Sequence, residues 1–210
     1  MTSGHVLELM SLPTSHPQCG SLLLHQCGLA LIVRLSIDPT RVERGIMGRE
    51  VGVNWVANSG NAEATCHRAI SWSGMPSSWD DLLIQWDIGI SQQEHTEKAS
   101  IAVMGLLLHD LVRGEILKVL PIGSGGDYLA KIVNSAGKVQ VECSGILSDE
   151  TGWESRSVLN KKKAQVLTDC DDGFASVTTF SHTQRGAVHS YLHRVCRGVV
   201  EARPKKARRR

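Results

Sequence analysis

Asp127, Lys131 and Glu142 lie in two strand-like runs, 127–133 and 138–144, separated by Asn134-Ser135-Ala136-Gly137. Those four residues have the types that tight hairpin loops demand, with Gly137 free to take a positive φ. With Val133 set opposite Lys138, the period of two places Leu129 opposite Glu142 and Asp127 opposite Ser144. Asp127, Lys131, Gln140, Glu142 and Ser144 then share one face, and Tyr128, Ala130, Ile132, Val139, Val141 and Cys143 the other. Two carboxylates held close on adjacent strands repel, so they persist most easily where a cation joins them; hard oxygen ligands of this kind suit Mg²⁺ or Mn²⁺. Such an ion activates water and stabilises a departing phosphate oxygen, while a nearby lysine orients the water or offsets charge on phosphorus. The set therefore points to metal-dependent phosphodiester hydrolysis, with Asp127 and Glu142 binding metal and Lys131 assisting. The plainer alternative is that Asp127 closes a Gly-rich turn and Glu142 faces solvent.

These residues need elements to hold them. Ser91-Gln92-Gln93-Glu94 is a capping-box pattern, and Ile101, Met104, Leu108 and Leu111, flanked by Val103 and Leu107, form a helical stripe running to about Val112. Gly114 ends that helix, 115–122 reads as a strand, and Gly123-Ser124-Gly125-Gly126 bends into the hairpin. Residues 155–167 form a second helix with Lys161, Lys162 and Lys163 on its exposed face. Asp171-Asp172-Gly173 makes a turn into a strand over 174–180, and 184–202 reads as a final helix with Val188, Tyr191, Leu192, Val195 and Val199 on one side. Upstream, serine caps a short helix over 77–86, and 5–10, 29–37 and 51–57 read as strands. The expected fold is α+β, a central mixed sheet flanked by helices.

The order helix, three-stranded meander, helix, strand resembles the PD-(D/E)XK nuclease superfamily, carried by Gly126-Asp127-Tyr128 and Val141-Glu142-Cys143-Ser144-Gly145 over about residues 92–180. The resemblance implies a restriction-endonuclease-like core with an N-terminal β-rich extension, and a hydrolase using Mg²⁺ or Mn²⁺ on nucleic acid. The helix with Lys161-Lys162-Lys163-Ala164-Gln165 is similar to one that supplies a Lys or Gln to the site in many members. Ser144 stands where the motif wants lysine, so Lys131, Lys163 or Gln165 must take that role or the site is inactive. Glu97 is the candidate for a further carboxylate on the first helix; near a helix N-terminus it equally serves the dipole. The alternative function is a non-catalytic subunit that binds nucleic acid or protein.

Three regions follow: 1–90, of unclear role, with strands and a short helix; 91–202, the nuclease-like core; and 203–210, a disordered basic tail. The tail holds six of the cations behind the formal charge of +2, so the remaining residues sum to −4. Lys161, Lys162, Lys163 and Gln165, together with Arg208, Arg209 and Arg210, are the candidate nucleic-acid contacts. Residues 1–90, with Trp55, Trp72, Trp79 and Trp86 suited first to packing, offer a surface for a protein partner. Six scattered cysteines without a C-x-x-C pair, and no secretory start, indicate reduced thiols in the cytoplasm. The most apolar early stretch, 21–35, is broken by His25, Gln26 and Arg34, so no membrane anchor is expected. His189 and His193, four apart on the expected last helix with His182 upstream, have spacing a zinc site would use, without the H-E-x-x-H glutamate. His109-Asp110 reads as a helix end. The Gly-rich bend lacks a phosphate loop's Gly-Lys-Ser/Thr, and no G-x-S-x-G elbow occurs.

Overall fold

The computed structural model describes residues 5–36, 49–56, 61–120, 127–133, 137–149, 153–182 and 188–197. Strand β1 (His5–Glu8) leads into a helical run: a 3-10 turn, the short helices α1 (Leu12–Ser15) and α2 (Gly20–Leu23), a π-helical turn (Leu24–Gly28) and α3 (Leu29–Leu35). Strands β2 (Arg49–Val56) and β3 (Ala64–Ser71) follow, then α4 (Asp80–Gly89) and α5 (Gln92–Val112). The second half is β4 (Gly114–Val119), β5 (Tyr128–Ile132), β6 (Lys138–Leu147), α6 (Trp153–Asp169), β7 (Asp172–Phe180) and β8 (Val188–Cys196).

All eight strands form one mixed sheet in the order β1-β3-β2-β8-β7-β6-β5-β4. β4, β5 and β6 are an antiparallel meander, β6 and β7 run parallel, and β7 and β8 antiparallel. β2 lies parallel to β8, so the sheet runs without a break across the 90/91 boundary. The fold is α+β, a mixed sheet flanked by helices.

The capping box forms as expected. Ser91 accepts the Glu94 N–H at 3.2 Å, and α5 ends at Arg113 in the left-handed conformation, after which Gly114 opens β4. Helices α3 and α5 cover one face of the sheet. Leu29, Leu31, Ile32 and Leu35 of α3 and Met104, Leu107 and Leu108 of α5 join one buried cluster with Tyr128, Ala130, Val139, Val141 and Phe174. Gly145 permits the close approach of α5 to β6, since a Cβ there would stand 2.3 Å from the Thr96 carbonyl oxygen. On the opposite face α6 packs Leu159 and Val166 against Ile146, Ala175, Val177, Tyr191 and Val195. Each such fully buried side chain contributes about 1.5–3 kcal/mol, and together they hold α6 across β6, β7 and β8.

Two element expectations are corrected. Residues 29–35 are helix rather than strand, a run apolar at every position but Arg34 and buried on nearly every side, for which periodicity does not separate the two. The expected last helix is strand β8 over Val188–Cys196. It lies between β2 and β7, with Val188 and Leu192 in the cluster under α3 and α5 and Tyr191 and Val195 against α6, so both its faces are buried and its apolar residues do not alternate cleanly. The bend at 123–126, the loop residues 134–136 and the tail at 203–210, with Arg208, Arg209 and Arg210, lie outside the described residues.

Candidate active site

The hairpin forms with the expected faces but in a register two residues away from Val133 opposite Lys138. The structure pairs Lys131 with Lys138 and Tyr128 with Val141. A slip of two keeps every side chain on its face while moving it along the partner strand. The Asp127 N–H donates to the Val141 carbonyl at 3.1 Å and its own carbonyl accepts from Leu120 N–H, continuing the ladder one residue further. Asp127 is thereby opposite Glu142 instead of Ser144.

Between the two carboxylates sits the ammonium of Lys162. Its Nζ is 2.6 Å from Glu142 Oε2 and 3.6 Å from Asp127 Oδ2. Asp127 Oδ2 also accepts the Cys143 N–H at 2.8 Å, which fixes its carboxylate over the start of the Glu142 strand segment. The Glu142 side chain is only 6% exposed and Lys162 18%, whereas Asp127 is 42% exposed, so the triad opens to solvent on the Asp127 side. Burial pushes the Glu142 carboxyl above its ordinary value and Asp127 adds to the push, against the opposing bond from Lys162. For Lys162, burial disfavours the charged form, but the bond to Glu142 and the charges of Asp127 and Glu142 outweigh it and raise its affinity for the proton. Two negative groups share one positive one, leaving a local excess of one negative charge.

The remaining sequence candidates divide. Lys131 is corrected: it is exposed at the far end of the hairpin, four residues or about 13 Å along the strand from Asp127. Lys161 and Gln165 are exposed on α6. Lys163 turns toward β8, where its charge acts on His193. Helix phase separates the three lysines, since 100° per residue directs Lys162 alone at the carboxylates. Glu97 is exposed on α5, on the other side of the sheet, and accepts from Gln93 at 3.4 Å. Asp110 is held by His5 and Arg68 at 2.9 and 2.8 Å, as befits a structural helix end.

His189 and His193 stand on a strand and so share a face, bracketing Tyr191 with ring centroids 4.9 and 5.9 Å away. On this second flank of α6, Glu63 meets His193 Nε2 at 3.0 Å and Arg156 at 3.0 Å, and accepts from Asn54. Arg156 also lies over the Tyr191 ring. Sequence reasoning missed this cluster because its members come from β2, α6, β8 and the segment just before β3. Among the described residues no group of three or more His, Cys, Asp or Glu is placed to hold a metal ion. The zinc spacing of His189 and His193 therefore has no third ligand there. All six cysteines are free, and no described helix is long and apolar enough to cross a membrane.

The fold and site define a mixed-sheet α+β protein with a carboxylate pair and a lysine at the mouth of a hairpin. No protein-family model, curated protein or solved structure matches the chain.

Proposed function

We propose that this protein hydrolyses phosphodiester bonds of nucleic acid with a divalent metal at Asp127 and Glu142, and that Lys162 takes the place of the lysine missing at Ser144. The observation that carries the reading is the Asp127–Glu142–Lys162 triad, in which two facing carboxylates have one ammonium between them. The donor set fits a hard divalent ion: two carboxylates with uncompensated charge, one of them open to solvent, match the way Mg²⁺ is held by one or two carboxylates plus water and phosphate oxygens. When bound, the ion would activate water and neutralise charge at phosphorus. Lys162 holds Glu142 in place beneath α6 and presents a cation to phosphate at the same mouth. The helix–meander–helix–strand order from Gln92 to Phe180 agrees with the superfamily resemblance.

A second reading is favoured by the short Lys162–Glu142 contact itself. A buried ammonium already satisfies Glu142, so the triad is complete as a structural ion cluster, in a protein that binds nucleic acid or a protein partner without cutting.

Labelled single- and double-stranded DNA and RNA, incubated at low salt with Mg²⁺, Mn²⁺ or chelator, separate the two. Cleavage that needs metal and is lost in Asp127→Asn, Glu142→Gln and Lys162→Met establishes the first. Partial recovery of Lys162→Met by adding Ser144→Lys would identify the role of the lysine. Binding without cleavage under every condition, unchanged in Asp127→Asn, establishes the second.

A further inference from the structure

Four of the five tryptophans are packed to some degree: Trp72 and Trp79 are buried, and Trp55 and Trp86 lie against the core. Trp153, the first residue of α6, is 85% exposed. Its exposed indole offers a large, rigid aromatic face with a polar edge, a surface suited to stacking on a planar group.

Its place on α6 is fixed by two contacts of the same helix. Lys162 points down to Glu142 on the β5–β6 flank, and Arg156 points to Glu63 and Tyr191 on the β8 flank. Taking 100° per residue from those two, Trp153 and Asn160 lie about 60° and 40° from Arg156, on the outer edge of the β8 flank, and Lys161 lies on the outer side between them and Lys162. Asn160 and Lys161 are both exposed. Trp153 stands nine residues from Lys162, about 14 Å along the axis and half a turn around the helix. A stacked strand that covers this rise and crosses the helix needs at least about four nucleotides. The helix carries Arg156, Lys161, Lys162 and Lys163 against Glu154 and Asp169. Arg156 is taken up by Glu63, and Glu154 is exposed beside Trp153, so the cation available between ring and site is chiefly Lys161.

We propose that the outer side of α6 is a platform for single-stranded nucleic acid, with a base stacked on Trp153 and the backbone led across the helix past Lys161 to the Asp127–Glu142 mouth. The proposal rests on the nucleic-acid reading above and narrows its substrate to single strands. An aromatic face stacks on any base and is offered only to bases that are unpaired, whereas paired bases in a duplex keep their faces covered.

The test is fluorescence anisotropy of the full chain with labelled oligothymidylate, oligouridylate and a blunt DNA duplex, in chelator so that no cleavage intervenes. Trp153→Ala should weaken binding of both single strands about 5- to 100-fold and leave the duplex unchanged. Trp153→Phe should keep most of the affinity, and Lys161→Ala should lower the salt dependence of the single-strand affinity. An exposed side chain can be removed without threatening the fold, which circular dichroism verifies. Equal single-strand affinity in Trp153→Ala and wild type overturns the platform, even if metal-dependent cleavage is observed. Weakened binding in Trp153→Ala with no cleavage by wild type supports the platform and removes the nuclease reading.

Discussion

Helix α6 separates two carboxylate clusters that are built from the same parts and balanced in opposite ways. On the β5–β6 flank, Glu142 and Asp127 share the single ammonium of Lys162. On the β8 flank, Glu63 alone draws Arg156, His193 and Asn54. Burial raises the Glu142 carboxyl and its neighbours do not undo the rise. Burial also pushes Glu63 upward, but the bonds from Asn54 and Arg156 outweigh it and hold Glu63 below its ordinary value. One flank is short of positive charge at a mouth open to solvent, and the other is fully served. The first flank has charge to share with a further cation, whereas the second is complete as an ion-pair network.

The sharpest way to break this contrast is to remove the shared cation. Lys162→Met leaves Glu142 buried and facing Asp127 with nothing between them, so urea denaturation should show a loss of about 2–4 kcal/mol at neutral pH, with cleavage gone as well. A loss below about 0.5 kcal/mol would mean that Glu142 is not dependent on Lys162. In the Glu142→Gln background the same lysine substitution should cost far less, and a double-mutant cycle measures the difference.

The next largest effect is on acid stability. Burial lowers His193 from 6.5 to about 4. The unfolded chain therefore takes up this proton below 6.5 while the folded chain resists until about 4, so stability falls as pH drops through that window. His193→Gln should flatten the acid limb between those values by an amount on the order of 3 kcal/mol. Glu142 works in the other direction. Its folded value is raised above 4.5, so the folded state holds its proton more tightly, and stability declines as pH rises through that range. Glu142→Gln should remove that decline and leave the histidine limb intact, and an identical acid profile for both variants would dissolve the distinction between the flanks.

The smallest effect is expected from Arg156→Ala. Its side chain is about half exposed, so its bond to Glu63 is screened and the variant should lose only about 0.5–1 kcal/mol, with cleavage unchanged. A fall in cleavage comparable to that of Lys162→Met would show that the two clusters work as one site.

Much of the core was legible because local signals there agree with one another. The Ser91–Glu94 box starts α5, the period of two sorts Asp127 and Glu142 onto one face, and the Phe174–Phe180 run is strand, although Asp172 and Gly173 of the expected turn already belong to it. Where a segment is buried on both sides, that agreement fails. Val188–Cys196 carries apolar residues at spacings that also suit a helix, and 29–35 carries them at nearly every position.

The sequence by itself determined which residues could do chemistry and which face they occupy, since alternation along a strand and capping at a helix end are properties of neighbours in the chain. Tertiary structure alone decided the register that brings Asp127 opposite Glu142, because a slip of two residues preserves every face and is settled by pairing with β4 and by the Asp127–Cys143 bond. It also decided which of three consecutive lysines meets the carboxylates. All three are alike in sequence, and only the rotation of α6 on the sheet, set by Leu159 and Val166 in their buried cluster, directs Lys162 inward.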